Sequence, residues 1–257
     1  MKRIPLCLLL VLLSCGTISN TVTRQTVTNP DGTNELIFYR KGEEVTKQIV
    51  SKDGSVIKTI GKIPDGIVKE YYESGKLKYE LNYKNGKREG IGRQYYKNGK
   101  LKKEWNYKED KLEGISKEYD ENGKLLAERN FRDGKREGIS RNFMDGALLE
   151  EMNYKNGKRE GISKQYYESG ELFTVSNFRD GREEGKSMMY YKNGTLWAEL
   201  NYRNNELDGV TKIYHENGKT RSIETYKNGQ MIKRKEYDEK GKLISEKDYP
   251  IKEMDKK

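Results

Sequence analysis

Cysteine, histidine and long apolar runs are scarce in this sequence, which argues against thiol-based sites and against a helix that spans a membrane. The two cysteines are Cys7 and Cys15, and the single histidine is His215. If Cys7 is removed with a leader and Cys15 is modified, no thiol remains for a disulfide, a zinc site or a cysteine nucleophile. The apolar stretch 6–13 is too short to span a bilayer as a stable helix.

The start of the chain has the composition of a targeting segment. Two basic residues precede the apolar stretch 6–13. Residues 12–16 read LLSCG and resemble the lipobox of bacterial lipoproteins, which implies cleavage before Cys15 and a lipid on that cysteine. An ordinary secretory signal cut elsewhere is the alternative. We therefore expect residues 1–14 to be a signal peptide and the mature protein to be a membrane-anchored lipoprotein of a bacterial envelope, in the outer membrane if the cell has two.

A repeat of about 24 residues organises most of the sequence. Residues 66–89 read GIVKEYYESGKLKYELNYKNGKRE, and seven further copies follow up to residue 249. Each copy has two strand-like runs, separated by turns such as Ser-Gly and Asn-Gly that accept positive φ. Charged residues make up 36% of the chain, near the composition of disordered proteins, but the 19 tyrosines recur periodically and indicate order. The sequence predicts an all-β fold, an elongated single domain built as an antiparallel meander of β-hairpins.

Two aromatic positions are filled in all eight copies. The first is occupied by Tyr71, Tyr95, Tyr119, Phe143, Tyr166, Tyr190, Tyr214 and Tyr237, and the second by Tyr83, Tyr107, Phe131, Tyr154, Phe178, Tyr202, Tyr226 and Tyr249. A three-residue loop would pair Tyr71 with Leu77, whereas a two-residue loop would pair Tyr72 with Leu77 and exchange the faces. We prefer the first register, because it gathers both aromatic positions on one face as the core.

The remaining segments flank the repeats. Residues 15–34 lack apolar periodicity and are predicted to be the lipidated cysteine and a flexible tether. Residues 35–65 contain an eroded repeat, which is expected to cap the open edge of the sheet. The repeats then occupy residues 66–249, and residues 250–257 form a charged tail.

The repeat pattern Gly-x4-aromatic-x3-Gly-x-Leu-x2-Glu-x2-aromatic-x2-Gly is similar to the bacterial variant of the MORN repeat. The resemblance covers residues 66–249. It implies a MORN-like sheet, in a class of proteins often labelled antitoxin-like.

Candidate catalytic groups occur only as rows. One row holds Glu80, Glu104, Glu128, Glu151, Glu199 and Glu246. With two strands per repeat its members lie about 10 Å apart, a spacing that an inverting glycosidase pair would accept. A row without distinct partners favours a solvated face paired with lysines instead, and His215 occupies a position that varies freely between copies. We expect no catalytic site, no metal and no cofactor.

The charge pattern gives two candidate surfaces. The formal charge is +10, and the pairs Lys87-Arg88, Lys135-Arg136 and Lys158-Arg159 line one edge, each followed by a glutamate. A solvated edge is the simpler interpretation, and contact with an anionic envelope polymer or lipid surface is the alternative. A row of asparagines near the turns is expected to bind local backbone groups, with sugar contact as the alternative. Nucleic acid is not expected as a partner of an exported chain, and neither is a small-molecule substrate.

The residue after the first aromatic position varies between copies: Tyr72, Tyr96, Asp120, Met144, Tyr167, Tyr191, His215 and Asp238. A position that varies freely is not required for packing, yet four of its members are tyrosine, which is enriched in interfaces. Our hypothesis is that Tyr72, Tyr96, Tyr167 and Tyr191 lie on a partner-binding face. The alternative is that they are ordinary exposed aromatics.

Three classes of function follow. The first is a lipid-anchored, non-catalytic binding or scaffold module for a protein or an envelope polymer. The second, implied by the resemblance, is an antitoxin or immunity protein; export argues against a cytoplasmic toxin but not against one acting in the envelope. The third is an enzyme, which would require a cleft with converging carboxylates.

Overall fold

The computed structural model describes residues 21–251, and all of their strands belong to one sheet. The predicted signal peptide, Cys15 and most of the charged tail lie outside the described residues. Residues 21–251 contain strands and turns but no helix, and therefore no helix able to cross a membrane. The prediction of an all-β, elongated meander of hairpins is confirmed.

Twenty-five strands follow one another along the chain. They are β1 (Val22–Thr28), β2 (Asn34–Arg40), β3 (Glu43–Val50), β4 (Val56–Ile60), β5 (Gly66–Tyr71), β6 (Leu77–Lys84), β7 (Lys87–Arg88), β8 (Gly90–Tyr95), β9 (Leu101–Lys108), β10 (Lys111–Leu112), β11 (Gly114–Tyr119), β12 (Leu125–Arg132), β13 (Lys135–Met144), β14 (Ala147–Lys155), β15 (Lys158–Arg159), β16 (Gly161–Tyr166), β17 (Leu172–Arg179), β18 (Arg182–Glu183), β19 (Gly185–Tyr190), β20 (Leu196–Arg203), β21 (Glu206–Leu207), β22 (Gly209–Tyr214), β23 (Thr220–Lys227), β24 (Gln230–Tyr237) and β25 (Leu243–Asp248).

Each repeat is a hairpin joined to the next by a tight turn. In the first repeat β5 pairs with β6, and Tyr71 lies opposite Leu77, so the preferred register is confirmed. The turn after β6 holds Asn85 and Gly86, with φ of 53° and 77°. A two-residue hairpin turn of type I′ needs positive φ at both of its central residues. After this turn the chain runs antiparallel to β6 and pairs with it, first through β7 and then through β8.

A β-bulge between Glu70 and Tyr71 separates the two aromatic positions onto opposite faces of the sheet. One face, called here the core face, carries Val68, Glu70, Leu81 and Tyr83, and the opposite face carries Ile67, Lys69 and Tyr71. Tyr83 is 4% exposed, whereas Tyr71 is 45% exposed. The expectation that the first aromatic position forms the core together with the second is therefore wrong, because the bulge shifts the alternation where the two strands approach the turn.

The N-terminal strands form a unit of their own. Strands β4, β3, β2 and β1 pair in that order, and β1 then runs parallel to β5, with Val22 opposite Val68. The predicted tether thus contains a strand, and in the predicted eroded repeat the strands β2, β3 and β4 form an antiparallel meander. The chain returns from β4 to β5 through residues 61–65, where Ile63 is 2% exposed. This crossover is what a parallel pair requires.

The apolar core lies where this unit meets the first repeat. Its buried members are Val22, Phe38, Ile63, Val68, Leu81 and Tyr83. Phe38 is fully buried, and its ring meets the Tyr83 ring edge-on at a centroid distance of 5.8 Å. Farther along the sheet, small hydroxyl residues such as Ser140, Ser187 and Ser222 fill the buried positions instead.

A buried ion pair joins β1 to β5. The Arg24 guanidinium donates to Glu70 Oε2 from Nε at 2.8 Å and from Nη2 at 2.6 Å, and Lys78 Nζ lies 2.8 Å from Glu70 Oε1. The Arg24 and Glu70 side chains are 9% and 5% exposed. Burial alone would raise the pKa of Glu70, but the charge of Arg24 and the hydrogen bonds from Lys78 and Arg24 outweigh it and lower that pKa.

We expect the N-terminal unit to lose stability when the pH falls below about 4.5, the ordinary pKa of a glutamate. Since the pKa of Glu70 is lower in the folded protein, its stabilisation is complete above the unfolded pKa and disappears as the pH falls through the folded one. Urea unfolding at a series of acidic pH values measures this. Glu70→Gln should weaken the acid dependence, whereas Glu80→Gln, in a more exposed pair with Lys69, should keep it.

Candidate binding surface

The four tyrosines predicted to bind a partner link each repeat to the next. Each donates its hydroxyl to the backbone carbonyl at the first aromatic position of the following repeat, over 2.7–2.8 Å: Tyr72 to Tyr95, Tyr96 to Tyr119, Tyr167 to Tyr190 and Tyr191 to Tyr214. His215 Nε2 lies 3.2 Å from the equivalent carbonyl of Tyr237. The four side chains are half-buried. They therefore have a structural role, and their binding of a partner stays a prediction.

We expect Tyr96→Phe to lower the free energy of unfolding by about 1 kcal/mol, because it deletes one hydrogen bond and leaves the Tyr119 carbonyl without it. The hydrogen bond gives this variable position a role in stability that the sequence pattern does not predict. Urea denaturation followed by circular dichroism measures the change. Tyr71→Phe, at a 45% exposed site, is the control and should have little effect. Equal stability of the Tyr96 variant and the wild type would contradict the structural role.

Two of these tyrosines belong to a cluster of four rings in the fifth and sixth repeats (residues 161–184 and 185–208). The ring centroids are 4.9 Å apart for Tyr167 and Phe173, 6.3 Å for Phe173 and Trp197, and 6.0 Å for Tyr191 and Trp197. The Phe173 and Trp197 planes are inclined by only 22°. We call these four residues the aromatic platform. In the first four repeats the position of Phe173 and Trp197 holds Lys78, Lys102, Leu126 and Leu149.

A cavity of about 260 Å³ opens on the core face beside this platform, and Phe173 lines it. It is also lined by Ser163, Thr174, Ser176 and Ser187. The first three occupy the positions held in the first repeat by Val68, Tyr79 and Leu81. Since serine and threonine replace these larger side chains, the core face is hollow here.

The hydroxyls around the cavity differ in their bonding. Ser176 Oγ and Ser187 Oγ bond each other at 2.7 Å. The hydroxyl oxygens of Ser163 and Thr174 are buried and have no hydrogen-bond partner in the described part of the chain. Such orphaned groups are uncommon in folded proteins, and two of the four found among the side chains of residues 21–251 lie at this cavity.

Both signs of charge border the cavity. Arg159 forms an ion pair of 3.4 Å with Glu150 and lies 5.2 Å over the Phe178 ring, and Glu183 is also in the lining. Burial, with a smaller contribution from the charge of Glu183, raises the pKa of Tyr202, which also lines the cavity. The site can offer hydroxyl, carboxylate and ring surfaces together.

The other predicted surfaces are occupied by ion pairs. The glutamate row lies on the opposite face, where Arg93 Nε is 2.8 Å from Glu104 and Arg141 Nη2 is 2.8 Å from Glu151. At the turn edge, Arg88 pairs with Asp110 at 2.9 Å. Among residues 21–251 no group of three His, Cys, Asp or Glu side chains is placed to hold a metal ion.

Carboxylates also join consecutive turns along this edge. Each accepts a hydrogen bond from the backbone NH of the first turn residue of the next repeat: Asp65 from Asn85, Glu89 from Glu109, Glu113 from Asp133, Glu137 from Asn156, Glu160 from Asp180, Glu184 from Asn204 and Asp208 from Asn228. The glutamates after the basic pairs thus stabilise turns, which explains why this edge carries charges of both signs rather than only positive ones.

Comparison with known proteins gives a family for these repeats. The model of the MORN repeat variant matches residues 64–85, 88–109, 112–133, 159–180, 183–204, 207–228 and 232–249. The unmatched stretch between the third and fourth matches contains a hairpin with a shorter turn, in which Met144 pairs with Ala147. No curated protein matches the chain.

Solved structures give distant likenesses. One is a chain of the TcdB2-TccC3 structure, at 12% identity and a TM-score of 0.21 over 85% of this chain, which spans only 14% of that one. Another is a protein of unknown function from Bacteroides caccae, at 11% identity and a TM-score of 0.19, covering 90% of this chain and 81% of that one.

Proposed function

Because the chain belongs to the MORN repeat variant family, whose model matches more than half of its residues, we propose that it is a non-catalytic binding module of a membrane-anchored lipoprotein. Its partner is a protein or a polymer of the cell envelope. The repeat sheet provides a rigid surface, and the partner binds the core face of the fifth and sixth repeats.

The aromatic platform is the observation that carries this proposal. The repeat frame does not require rings there, since lysine or leucine occupies the same position in the first four repeats. Clustered, half-buried aromatic side chains are typical of the centre of an interface, because they offer large rigid area. Tyr167 and Tyr191 lie in it, so the platform also supports part of the predicted binding face.

The anchor would hold one end of the sheet near the membrane. Cys15 is followed by six residues before β1 begins at Val22. A chain of that length reaches at most about 25 Å. A lipid on Cys15 would therefore keep the N-terminal end of the sheet close to the bilayer, because the chain between the lipid and β1 is short.

We expect Cys15→Ser to abolish lipid labelling and to release the protein from the membrane fraction, since stable anchoring needs more than one acyl chain and all of them depend on this cysteine. Metabolic labelling with a fatty-acid analogue, followed by fractionation, measures both effects. Cys7→Ser is the matched control and should label like the wild type. Unchanged labelling of the Cys15 variant would refute the anchor.

Chemical crosslinking in intact cells, followed by affinity recovery of the protein, tests the binding function. We expect the wild type to recover a partner that the double variant Phe173→Leu, Trp197→Leu does not, because leucine is accepted at this position in the third and fourth repeats. Ile162→Thr, on the opposite face, is the control. Recovery of a toxin would support the antitoxin function instead, and equal recovery by the double variant would exclude the platform as the contact.

A further inference from the structure

We infer that the cavity and the aromatic platform together bind a neutral sugar unit of a glycan. This rests on the proposed function and names the chemical class of its ligand. Two features that the repeat frame does not require, orphaned hydroxyls and stacked rings, meet at Phe173. A sugar has the complementary pair of surfaces, hydroxyl groups along its rim and C–H groups on its faces.

The hydroxyls of the cavity need partners that the protein does not supply. Ser163 is 6% exposed, lines the cavity and has no hydrogen-bond partner, and Thr174 Oγ1 beside it also has none. Leaving a buried polar group unpaired destabilises the folded protein. A hydroxyl can both donate and accept, so a ligand rich in hydroxyls satisfies either geometry.

The rings supply the second contact. An aromatic face carries negative charge density and attracts groups with a positive edge. The C–H groups on one side of a sugar ring have this polarity, and the half-buried Phe173 and Trp197 rings have planes inclined by only 22° to each other. A chain of sugars lying across the platform would place one unit at the cavity and a neighbouring unit on Trp197.

The size of the cavity and the charges around it indicate which class of ligand fits. A volume of about 260 Å³ is below the range of pockets that enclose drug-sized ligands, and it suits one ring of a polymer. The carboxylates Glu150 and Glu183 border it, and Arg159, the one cation among the residues that line it, is paired with Glu150. Carboxylates accept hydrogen bonds from sugar hydroxyls but repel phosphate and sulfate, which favours a neutral glycan over an anionic polymer or a lipid headgroup.

Tryptophan fluorescence tests this ligand directly, because Trp197 belongs to the platform and the chain has only one other tryptophan, Trp105. The probes are neutral oligosaccharides of glucose, galactose, mannose and N-acetylglucosamine, with heparin as the anionic comparison. We expect at least one neutral oligosaccharide to shift the emission of the full chain saturably, also in Trp105→Phe, and heparin to have no such effect. Calorimetry then gives the dissociation constant.

Paired variants locate the site. Ser163→Ala with Thr174→Val deletes the two orphaned hydroxyls while keeping the shape of Thr174, and it should weaken binding about tenfold, the loss of one to two hydrogen bonds. Ser140→Ala is the matched control, since Ser140 holds the equivalent position one repeat earlier and is also buried without a partner, but does not line the cavity. It should bind like the wild type.

Three results would overturn the inference: no neutral oligosaccharide binds, only heparin binds, or Ser140→Ala weakens binding as much as the double variant. Equal melting temperatures of the variants keep the comparison valid. Failure of the sugar inference is distinct from failure of the proposed function. A protein partner crosslinked to the platform would support the binding function even if no sugar binds.

Discussion

Phe38→Ala is expected to destabilise the N-terminal end of the sheet by about 3–5 kcal/mol. Phe38 is fully buried and packs edge-on against Tyr83, in the core that also holds Ile63. Its removal leaves a cavity where β2 meets the crossover, and this part of the sheet should melt before the repeats do. Urea denaturation with proteolysis of the early transition measures both the size and the place of the loss.

Tyr71→Ala is the informative control for Phe38→Ala. If both aromatic positions formed the core, it would be as harmful as a core deletion. Since Tyr71 lies on the opposite face and is 45% exposed, we expect a loss below about 1 kcal/mol. Similar losses for the two variants would contradict the bulge-dependent assignment of the faces.

Arg24→Met is expected to cost about 3 kcal/mol, because it leaves Glu70 buried with only Lys78 and Thr26 as partners. This loss of stability should lie at the lower end of the range for breaking a buried ion pair, since Lys78 Nζ remains 2.8 Å from Glu70 Oε1. Replacing both Arg24 and Glu70 by methionine should recover much of this loss, because no uncompensated charge is then buried. Urea unfolding of the two single variants and the double variant gives the coupling. Additive losses would show that the pair does not join β1 to β5.

Local patterns were sufficient to predict the repeats. The Asn-Gly turns and the period of about 24 residues predict the hairpins, and the Tyr71–Leu77 register follows from the loop length. The resemblance to the MORN repeat variant is confirmed by the seven matched segments, whereas the antitoxin-like class stays a prediction.

Contacts between distant segments could not be predicted in the same way. The pairing of Val22 with Val68 joins residues far apart in sequence, and nothing in the polar composition around β1 indicates a strand paired with β5. The bulge at Glu70 follows from backbone geometry rather than from composition.

The candidate site was predicted in part. The variable position predicts Tyr167 and Tyr191 as site residues, but it does not predict their hydrogen bonds to the next repeat, because the acceptors are backbone carbonyls. The constant offset of these tyrosines from the following aromatic position was an available signal. Phe173 and Trp197 are not among the predicted residues, although the sequence carries a signal for them: a position that changes from lysine or leucine to an aromatic ring.

Photocrosslinking in intact cells tests the binding function most directly. A photoreactive residue at Gln165, which is exposed and lines the cavity on the core face, is compared with one at Ile162, which is 52% exposed on the opposite face of the same strand. We predict a crosslinked partner from Gln165 and none from Ile162. Crosslinks from Ile162 alone, or from neither position, would contradict a binding module that works through the core face of its fifth and sixth repeats.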